Sequence, residues 1–280
     1  MQLLITGSSG YLGKSFIQSY HKAYQIQTYS LRHTPLENLS LEGIEVILHC
    51  AALVHQTQPR PIHEYHAINV AYPLALAQKA KEAGVKQFIF ISTIAIYGEE
   101  YTYIDAQTRP NPATPYGTSK LEAEEALRAL ESDTFKVTIV RPPMIYGKDA
   151  PGNIHKLIQL IKKLPLLPFG GINNQRSFIY INNLTQLLHH LIQHQHRGSF
   201  LSADDRPIST SYLIRSLANA LGRPCYLFAP PLIEGLIKRF KPVLHRRLYQ
   251  DLIIDAQSTR EQLGFQNPYS FEEAILKTTS

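Results

Sequence analysis

The sequence predicts an α/β fold, in which a doubly wound parallel sheet of the Rossmann type is accompanied by a smaller, irregular C-terminal lobe. Three observations support this prediction. Short apolar runs alternate with amphipathic stretches of helical length, a glycine-rich turn follows the first apolar run, and the alternation loosens into Pro- and Gly-punctuated segments from about Pro151 onward. Such alternation is typical of β-α-β units, whose parallel strands are buried on both faces.

The predicted strands are five apolar runs, QLLIT, IQTYS, EVILHCA, QFIFIS and VTIVRP. Helical segments such as YPLALAQKAKEAG separate them, and a further helix is predicted over 121–130, with Thr118 or Ser119 near its start. This pattern divides the chain into two regions. We predict a sheet domain from 1–145 with 178–198, and a lobe from 146–177 with 199–280.

The composition is that of an ordinary globular protein. The chain has 280 residues, of which 44% are hydrophobic and 18% charged, which excludes a disordered or fibrous chain. The net charge of +6 is scattered, so we predict no nucleic-acid partner. The dense basic stretch Lys238–Arg247 could be a solvated face, a phosphate-facing patch or a polyanion-binding patch, and its role stays open.

Cysteine usage and hydropathy predict the compartment. Cys50 lies in a run that reads as a buried strand, and Cys225 is the other cysteine, so a disulfide framework is not expected. No apolar run approaches the roughly 20 residues that span a bilayer. We therefore predict a cytoplasmic protein with no membrane partner.

A glycine-rich turn directly follows the first predicted strand. The segment TGSSGYLG holds Gly7, Gly10 and Gly13, with Tyr11 and Leu12 between the last two, and a helix follows. Glycines allow a tight turn and a close approach of phosphate to the backbone, while the helix N-terminus offers free N–H groups and a partial positive charge. The turn therefore predicts a dinucleotide cofactor.

The residues after the second predicted strand bear on which dinucleotide binds. An acidic residue there would hold the adenosine ribose of NAD, but the sequence has Ser30, Leu31, Arg32 and His33. Arg32 could pair with a 2′-phosphate instead. We therefore predict NADP in preference to NAD, with NAD as the alternative.

Tyr116 and Lys120 in YGTSK are four residues apart, which places their side chains on one face of a helix. A free tyrosine has a pKa near 10, so it needs a nearby positive charge to exchange a proton at neutral pH. Lys120 and a nicotinamide ring could supply that charge. A hydroxyl from Ser92 or Thr93 is expected beside them, because both follow the fourth strand at the sheet edge where ligands bind.

Several separated motifs extend this pattern along nearly the whole chain: TGSSGYLG, HCAAL, INV, STIAIYG, YGTSK, RPPMIYG, FGG, RSFIYINNL and STREQLGF. Together they resemble the extended short-chain dehydrogenase/reductases. The resemblance places the catalytic hydroxyl four residues before Tyr97, which selects Thr93, with Ser92 as the fallback. It also implies cofactor contacts from Ala51 and Ala52 at the nicotinamide ribose, from Asn69, and from Pro142 and Pro143 near the carboxamide.

The resemblance further implies a nucleotide-sugar substrate, with a UDP-sugar expected, bound in the C-terminal lobe. Asn153 and Arg176 would contact the nucleotide diphosphate, and Phe169 would lie against the base. The alternatives are a helix cap for Asn153, a core position for Phe169 and a surface charge for Arg176. Arg246 or Arg247 could add a phosphate contact. We predict no metal ion in this site, and relatives that pair through two helices imply a homodimer.

Two departures from the family pattern are informative. Ile94 and Ala95 follow Thr93 where sugar-nucleotide dehydratases carry Asp-Glu, so elimination chemistry is not expected. Asn183 stands where many relatives carry Asp, which would change a local helix-cap contact.

The motifs most resemble enzymes that reduce the C4 ketone of a UDP-4-keto-6-deoxy amino sugar for surface polysaccharide synthesis. In that interpretation Tyr116 donates the proton, Thr93 holds the developing alkoxide, and Lys120 orients the cofactor ribose and tunes Tyr116. Two alternatives stay open: a UDP-sugar 4-epimerase that retains NAD, and a non-catalytic NADP-binding regulatory protein with the same fold.

Overall fold

The computed structural model describes residues 1–30, 35–54, 60–230 and 232–280. The chain forms two compact units. The first comprises Met1–Glu100, Gln107–Pro142 and Thr185–Ser202, and the second comprises Tyr101–Ala106, Pro143–Leu184 and Ala203–Ser280.

The strands, in chain order, are β1 (Gln2–Thr6), β2 (Gln25–Tyr29), β3 (Val46–His49), β4 (Gln87–Ile91), β5 (Tyr103–Ile104), β6 (Lys136–Arg141), β7 (Met144–Tyr146), β8 (Leu166–Leu167), β9 (Phe178–Tyr180), β10 (Gly198–Leu201), β11 (Tyr226–Leu227) and β12 (Ile253–Ile254). The helices are α1 (Tyr11–Tyr20), α2 (Ile62–His66), α3 (Tyr72–Glu82), α4 (Pro115–Arg128), α5 (Asn153–Lys163), α6 (Ile181–Gln193), α7 (Thr210–Ala220), α8 (Ile233–Phe240), α9 (Pro242–Tyr249), α10 (Gln257–Leu263) and α11 (Phe271–Thr279).

The first unit is built on a six-stranded parallel sheet with the strand order β10-β6-β4-β3-β1-β2. β1 pairs with β2 on one side and with β3 on the other, so the order of strands reverses at β1. The crevice beyond the carboxyl ends of β1 and β3 is therefore the switch point at which open α/β sheets bind ligands. The Rossmann-type sheet and all five predicted strands are confirmed.

The central strands of this sheet are apolar and fully covered. Leu4, Ile47, Phe88 and Ile139 are each at most 1% exposed and belong to one core cluster. Full burial of such a side chain contributes about 1.5–3 kcal/mol. Because burial covers both faces, these strands read as continuous apolar runs rather than as an alternating pattern.

The start of α4 differs from the prediction. The helix begins at Pro115 rather than near residue 121, and Thr114 caps it by accepting a hydrogen bond from the N–H of Gly117 (3.1 Å). Threonine followed by proline is a favourable helix start, because the hydroxyl satisfies a free N–H and the proline lacks one. The predicted caps, Thr118 and Ser119, lie inside the helix, so Tyr116 and Lys120 both occupy its first turns.

The second unit has the irregular architecture predicted for the lobe. Its strands are two or three residues long and pair as β5 with β12, β7 with β9, and β8 with β11. The Asn183 amide donates to Asp204 (2.8 Å) and to the carbonyl of Tyr269 (2.9 Å), and its oxygen accepts from the N–H of Tyr269 (3.1 Å). Asparagine thus bridges two segments with both donor and acceptor groups, which an ionised aspartate could not do.

The basic stretch Lys238–Arg247 covers the end of α8 and most of α9 in this unit. None of the helices formed by the described residues combines the length and the apolarity that a bilayer crossing requires.

Candidate active site

The glycine turn is packed closely against the end of β3. Gly7 has φ +72°, and a Cβ there would lie 2.5 Å from the backbone nitrogen of Ala51. A Cβ on Gly13 would lie 2.4 Å from the carbonyl oxygen of Gly7. The N–H of Gly10 donates to that same carbonyl (2.9 Å), and Gly10 is the N-cap residue of α1. A side chain at Gly7 or Gly13 would therefore clash with backbone atoms, which cannot move aside as a flexible side chain could.

A cavity of about 550 Å³ opens beside this turn. Gly7, Gly10, Ala51 and Ala52 all line it, so four of the predicted cofactor residues border one cavity. The first N–H groups of a helix lack partners within the helix and carry a partial positive charge. A dinucleotide pyrophosphate fits this cradle, since a Cβ at Gly7 would close the turn and the N-terminus of α1 stands beside it.

The remaining predicted residues of the turn lie in the first part of α1. Leu12 and Gly13 are buried, and Tyr11 is half-buried. They fix the helix start against the sheet.

The end of β2 contributes Tyr29 and Ser30 to the cavity. No carboxylate stands at this strand end among the described residues, in line with the sequence. Arg32, on which the NADP prediction depends, lies outside the described residues. The preference for NADP over NAD therefore stays a prediction.

Sequence analysis missed the far wall of the cavity, which carries His63 and Glu64 of α2 together with Tyr72. Glu64 forms an exposed ion pair with Arg60 (2.9 Å). No motif marks these residues, since the segment has no glycine signature and its place beside the cavity depends on tertiary packing.

Thr93 and Tyr116 are hydrogen-bonded through their side chains. The Thr93 hydroxyl also accepts a hydrogen bond from the N–H of Ala95 (3.2 Å), which caps the 3-10 turn Ile94–Tyr97. A hydroxyl that accepts from an N–H retains its own proton to donate. Thr93 therefore caps the turn after β4 and can also donate to the Tyr116 oxygen.

The Tyr116 hydroxyl is a weak acid in this environment. Burial raises its pKa to about 12, a hydrogen bond from Thr93 opposes the rise, and the nearby Tyr65 adds to it. The charges predicted to support ionisation of Tyr116 are those of Lys120 and a bound nicotinamide. In the chain alone burial dominates, because removing the phenolate from water is costly.

Lys120 is buried, with only 1% of its surface exposed, and its Nζ lies 3.7 Å from the centre of the Phe90 ring. Burial lowers the pKa of this ammonium group to about 7, and Glu124 and Cys50 act in the opposite direction. The side chain thus lies between α4 and the sheet, near Cys50, which lines the cavity. Burial raises the pKa of the Cys50 thiol to about 12, so this cysteine is not a thiolate nucleophile.

Gly117 brings Tyr116 to Thr93. A Cβ at Gly117 would lie 2.5 Å from the carbonyl oxygen of Ala95, so α4 approaches the turn after β4 more closely than any side chain would permit. The carbonyl of Pro142 accepts from the N–H of Ile94 (3.2 Å) and holds that turn from the end of β6. Glycine between Tyr116 and Lys120 is therefore a packing requirement.

A buried ion pair fixes α4 one turn beyond Lys120. Arg141 donates to both carboxylate oxygens of Glu124, at 3.0 and 2.6 Å, and to the hydroxyl of Tyr97 at 2.7 Å. Arg128 contacts the same carboxylate (3.0 Å). Sequence analysis did not single out this network. The sequence does hint at the place of Glu124, because Tyr116, Lys120 and Glu124 follow one another at intervals of four residues and so share one face of the helix.

Asn69 lies in a π-helical turn (Ala67–Ala71) and is 1% exposed. Its amide donates to the carbonyl of Leu53 (3.0 Å) and to the Ser119 hydroxyl (3.0 Å), and its oxygen accepts from the N–H of Leu53 (2.8 Å). The Ser119 hydroxyl donates in turn to the carbonyl of Tyr116 (2.9 Å). Asn69 therefore positions the loop after β3 against α4, and its direct contact with a cofactor stays a prediction.

Other predicted residues are placed as follows. Ser92 is buried, and its hydroxyl has no hydrogen-bond partner among the described residues. Pro142 and Pro143 are buried.

The predicted substrate residues all lie in the second unit. Asn153 is exposed and is the first residue of α5, while Gly152 is the cap residue. Phe169 is half-buried, and its carbonyl accepts from the Ser211 hydroxyl. Arg176 donates to the carbonyls of Gln250 (2.9 Å) and Arg246 (3.3 Å). The described contacts do not join these three residues into one cluster.

Arg176 lies in a strongly positive environment. Burial lowers the pKa of its guanidinium, the charge of Arg247 acts in the same direction, and Asp251 opposes them. Two guanidinium groups near each other favour a bound anion, because an anion relieves their repulsion.

Comparison with known proteins adds the following. Residues 3–201 match the family model for the NAD dependent epimerase/dehydratase family. A UDP-glucose 4-epimerase from Vibrio cholerae is 33% identical over 99% of this chain and 94% of its own length. An N-acetyl-alpha-D-glucosaminyl-diphospho-ditrans,octacis-undecaprenol 4-epimerase from Escherichia coli O157:H7 is 25% identical over 70% of this chain and 64% of its own length.

Two solved structures share the fold. The UDP-glucuronic acid 4-epimerase from Bacillus cereus, in complex with NAD, aligns with a TM-score of 0.80 at 20% identity over 100% of this chain and 95% of its own. The dTDP-4-dehydrorhamnose reductase from Bacillus anthracis, in complex with NADP, aligns with a TM-score of 0.80 at 21% identity over 99% and 98% of the two chains.

Proposed function

This chain belongs to the NAD dependent epimerase/dehydratase family, and on that premise we propose that it is a sugar-nucleotide enzyme that interconverts C4 epimers of a UDP-hexose. The observation that carries the proposal is the hydrogen bond between the Tyr116 and Thr93 hydroxyls, with Lys120 buried behind them on the same helix. The Vibrio cholerae relative, named as a UDP-glucose 4-epimerase and aligned over 99% of this chain, supports the choice of reaction.

The residues of the first unit would share the work as follows. A nicotinamide cofactor held in the glycine cradle would supply a hydride acceptor and donor for C4 of the sugar. Tyr116 would take the proton of the C4 hydroxyl and give it back on the return. Thr93 would donate a hydrogen bond to the oxygen that gains charge, and Lys120 would orient the cofactor ribose and supply positive charge near Tyr116.

Reduction of a 4-keto sugar by NADPH is the second candidate, and it uses the same residues. Ser30 at the end of β2, where a carboxylate would favour NAD, supports it. Sequence analysis placed this reaction first. We now place epimerisation first, because relatives named as 4-epimerases align with the chain, one of them over nearly its whole length.

The diphosphate is the substrate feature that we propose Arg176 recognises, with Arg247 as its neighbour. A sugar linked to a diphosphate is common to UDP-glucose and to the undecaprenyl-linked sugar in the name of the Escherichia coli relative. A planar guanidinium recognises paired phosphate oxygens in either case. Asn153 and Phe169 are proposed as further contacts, and homodimer formation stays a prediction.

The test combines cofactor identity with product analysis. The purified protein is denatured and the released nicotinamide is identified as NAD or NADP and quantified per chain. Intact protein is then incubated without added cofactor with UDP-glucose, UDP-N-acetylglucosamine and the undecaprenyl diphosphate sugar, and the C4 epimers are separated. One tightly held NAD per chain and epimer formation without added cofactor are the expected results.

The competing functions give different results in the same experiment. Consumption of NADPH with a panel of UDP-4-keto sugars, and no epimer formation, would establish the reductase instead. Stoichiometric cofactor binding with neither reaction would support a non-catalytic binding protein.

A further inference from the structure

We propose that His190, His194 and His196 form a binding site for a divalent transition-metal ion, with Zn²⁺ as the best-suited ion, at the C-terminal end of α6. Each imidazole offers one ligand nitrogen, and these nitrogens all lie within 4.8 Å of one another. Imidazole nitrogen is a preferred ligand of Zn²⁺ and of the neighbouring transition metals. The inference belongs to the first unit and does not depend on the proposed sugar chemistry.

The helix itself brings the first two ligands together. His190 and His194 are four residues apart, which places their side chains on one face of the helix end, and their ring centres are 4.2 Å apart. Two histidines at this spacing are a known metal-binding arrangement on helices.

The helix cap brings in the third ligand. The N–H of His196 donates to the carbonyl of Leu191 (3.2 Å), and the N–H of Gln195 donates to the carbonyl of Ile192 (3.3 Å). This is the hydrogen-bond pattern of a Schellman motif, in which the residue after the helix adopts a left-handed conformation. Gln195 does so, with φ +48°, at a position that usually holds glycine. The reversal turns His196 back onto the end of α6.

The backbone of the third ligand is anchored in the core. The carbonyl of His196 accepts hydrogen bonds from the buried Gln87 amide (3.0 Å) and from the Thr138 hydroxyl. The same Gln87 amide donates to the carbonyl of Leu191 (3.1 Å), within the cap. His196 is thus held by β4 and β6, while His194 is exposed and free to adjust.

His196 and His194 each present one nitrogen in a form suited to a metal ion. Nε2 of His196 is buried and has no hydrogen-bond partner among the described residues. Nδ1 of His194 lies 3.0 Å from the carbonyl of His190, so this nitrogen carries a proton and Nε2 is left with its lone pair. A backbone carbonyl that fixes the other nitrogen is the usual support of a metal-bound imidazole.

The distances between the three ligand nitrogens need only a small decrease for metal binding. Bonds of about 2.0–2.1 Å in a tetrahedral site would hold the three nitrogens about 3.4 Å apart. Rotation of the exposed His194 and of His190 about their side-chain bonds supplies this change without moving the anchored backbone. Three protein ligands leave a fourth position for water. A metal here would tie the last turn of α6 to the segment that enters β10, the edge strand of the sheet.

The test uses protein without a histidine tag, treated with a chelator and dialysed. Calorimetric titration with Zn²⁺ is expected to show one site per chain, and Co²⁺ to give the visible absorption of a tetrahedral ion. Loss of a residue that only hydrogen-bonds a metal ligand weakens metal binding by about tenfold to 100-fold. His194→Gln removes a ligand itself, so it should weaken Zn²⁺ binding by at least that factor. The thermal midpoint without metal should stay unchanged, because His194 is exposed.

The matched control is His155→Gln, which removes an exposed helical histidine of the second unit. It should bind Zn²⁺ as the wild type does. Zn²⁺ should also raise the thermal midpoint of the wild type and of His155→Gln, but not of His194→Gln. Equal Zn²⁺ affinity of wild type and His194→Gln, or the absence of a one-to-one site in the wild type, would overturn the proposal.

Discussion

The two units hold their functional side chains in different ways. In the first unit, Tyr116 and Lys120 stand on a long helix, and buried hydrogen bonds on three sides fix that helix to the sheet. In the second unit, Asn153 is exposed, and the Arg176 guanidinium donates to the backbone carbonyls of Arg246 and Gln250 at the end of α9. Chemistry at C4 needs fixed geometry, whereas an anion can be held by charges whose positions are less constrained. Under the proposed function, the first unit would determine the type of reaction and the second unit the choice of substrate.

In the first unit, burial favours the uncharged forms of Tyr116 and Lys120. The pKa of Tyr116 is raised to about 12 and that of Lys120 is lowered to about 7, each mainly by burial. Near neutral pH the tyrosine is therefore a neutral phenol, and burial disfavours the charged form of the lysine. An oxidised nicotinamide brings a positive charge to this site, which stabilises the phenolate. The chain without its cofactor is therefore poorly prepared for proton removal.

The largest effect is expected from Tyr116→Phe, which tests whether the first unit alone carries the chemistry. Loss of a general acid-base group lowers kcat by about 10²–10⁴-fold. Cofactor binding should be almost unchanged, because the ring remains. Steady-state kinetics and cofactor titration check both statements, and Thr93→Val provides the companion variant with a smaller loss of kcat. Wild-type kcat in Tyr116→Phe would remove this residue from the mechanism.

The second-largest effect is expected from Glu124→Gln, which tests whether the buried ion pair anchors α4. Glu124 is fully buried and paired with Arg141, so Glu124→Gln leaves a buried guanidinium without its countercharge. Breaking such a pair costs about 3–5 kcal/mol. The urea midpoint should fall accordingly, and kcat should fall with it because Tyr116 loses its support.

The matched control is Glu125→Gln, an exposed carboxylate on the same helix, which should change stability by less than about 0.5 kcal/mol. Equal stability of the two variants would show that the Glu124–Arg141 pair does not anchor α4.

Lys120→Met separates stability from activity within the first unit. The folded chain holds this ammonium at a pKa of about 7 instead of 10.5, so the unfolded chain binds more protons between these values. Wild-type stability therefore rises with pH across this range, and the penalty of the buried charge is largest at pH 7 and below. Lys120→Met should stabilise the cofactor-free chain by about 2–4 kcal/mol near pH 7, and the gain should shrink toward pH 10.

Activity should fall sharply in the same variant, because the positive charge that we propose Lys120 supplies to the cofactor site is lost. Urea unfolding at several pH values provides the measurement. A gain that does not change with pH would mean that Lys120 is not buried as a titrating group.

The sequence predicts most of the first unit because its signals are local. Apolar runs predict the strands, TGSSGYLG predicts the cradle, and the four-residue spacing of Tyr116 and Lys120 predicts a shared helix face. The Arg141–Glu124 pair and the link from Asn69 to Ser119 join residues 17 and 50 positions apart, and no local pattern marks such contacts. The helix start at Pro115 was missed for a different reason, because the polar residues Thr118 and Ser119 resemble caps as closely as Thr114 does.

The smallest effect is expected in the second unit, from Arg176→Ala. If Arg176 anchors the diphosphate, its loss weakens substrate and transition state alike, so KM rises while kcat is nearly unchanged. A hydrogen bond to a charged group contributes about 1.5–3 kcal/mol, which corresponds to a rise in KM of about tenfold to 100-fold. Steady-state kinetics with UDP-glucose measures the split between KM and kcat.

Two control variants decide what a raised KM means. Arg176 also holds the carbonyls of Arg246 and Gln250, so Arg176→Ala could loosen the loop without any substrate contact. Arg176→Lys keeps the charge but loses the paired donors, and an intermediate KM with an unchanged thermal midpoint would point to phosphate recognition. Arg223→Ala, an exposed arginine of the same unit, should leave KM unchanged. If KM stays at the wild-type value in Arg176→Ala, Arg176 does not bind the diphosphate, and other residues of the second unit must recognise the substrate.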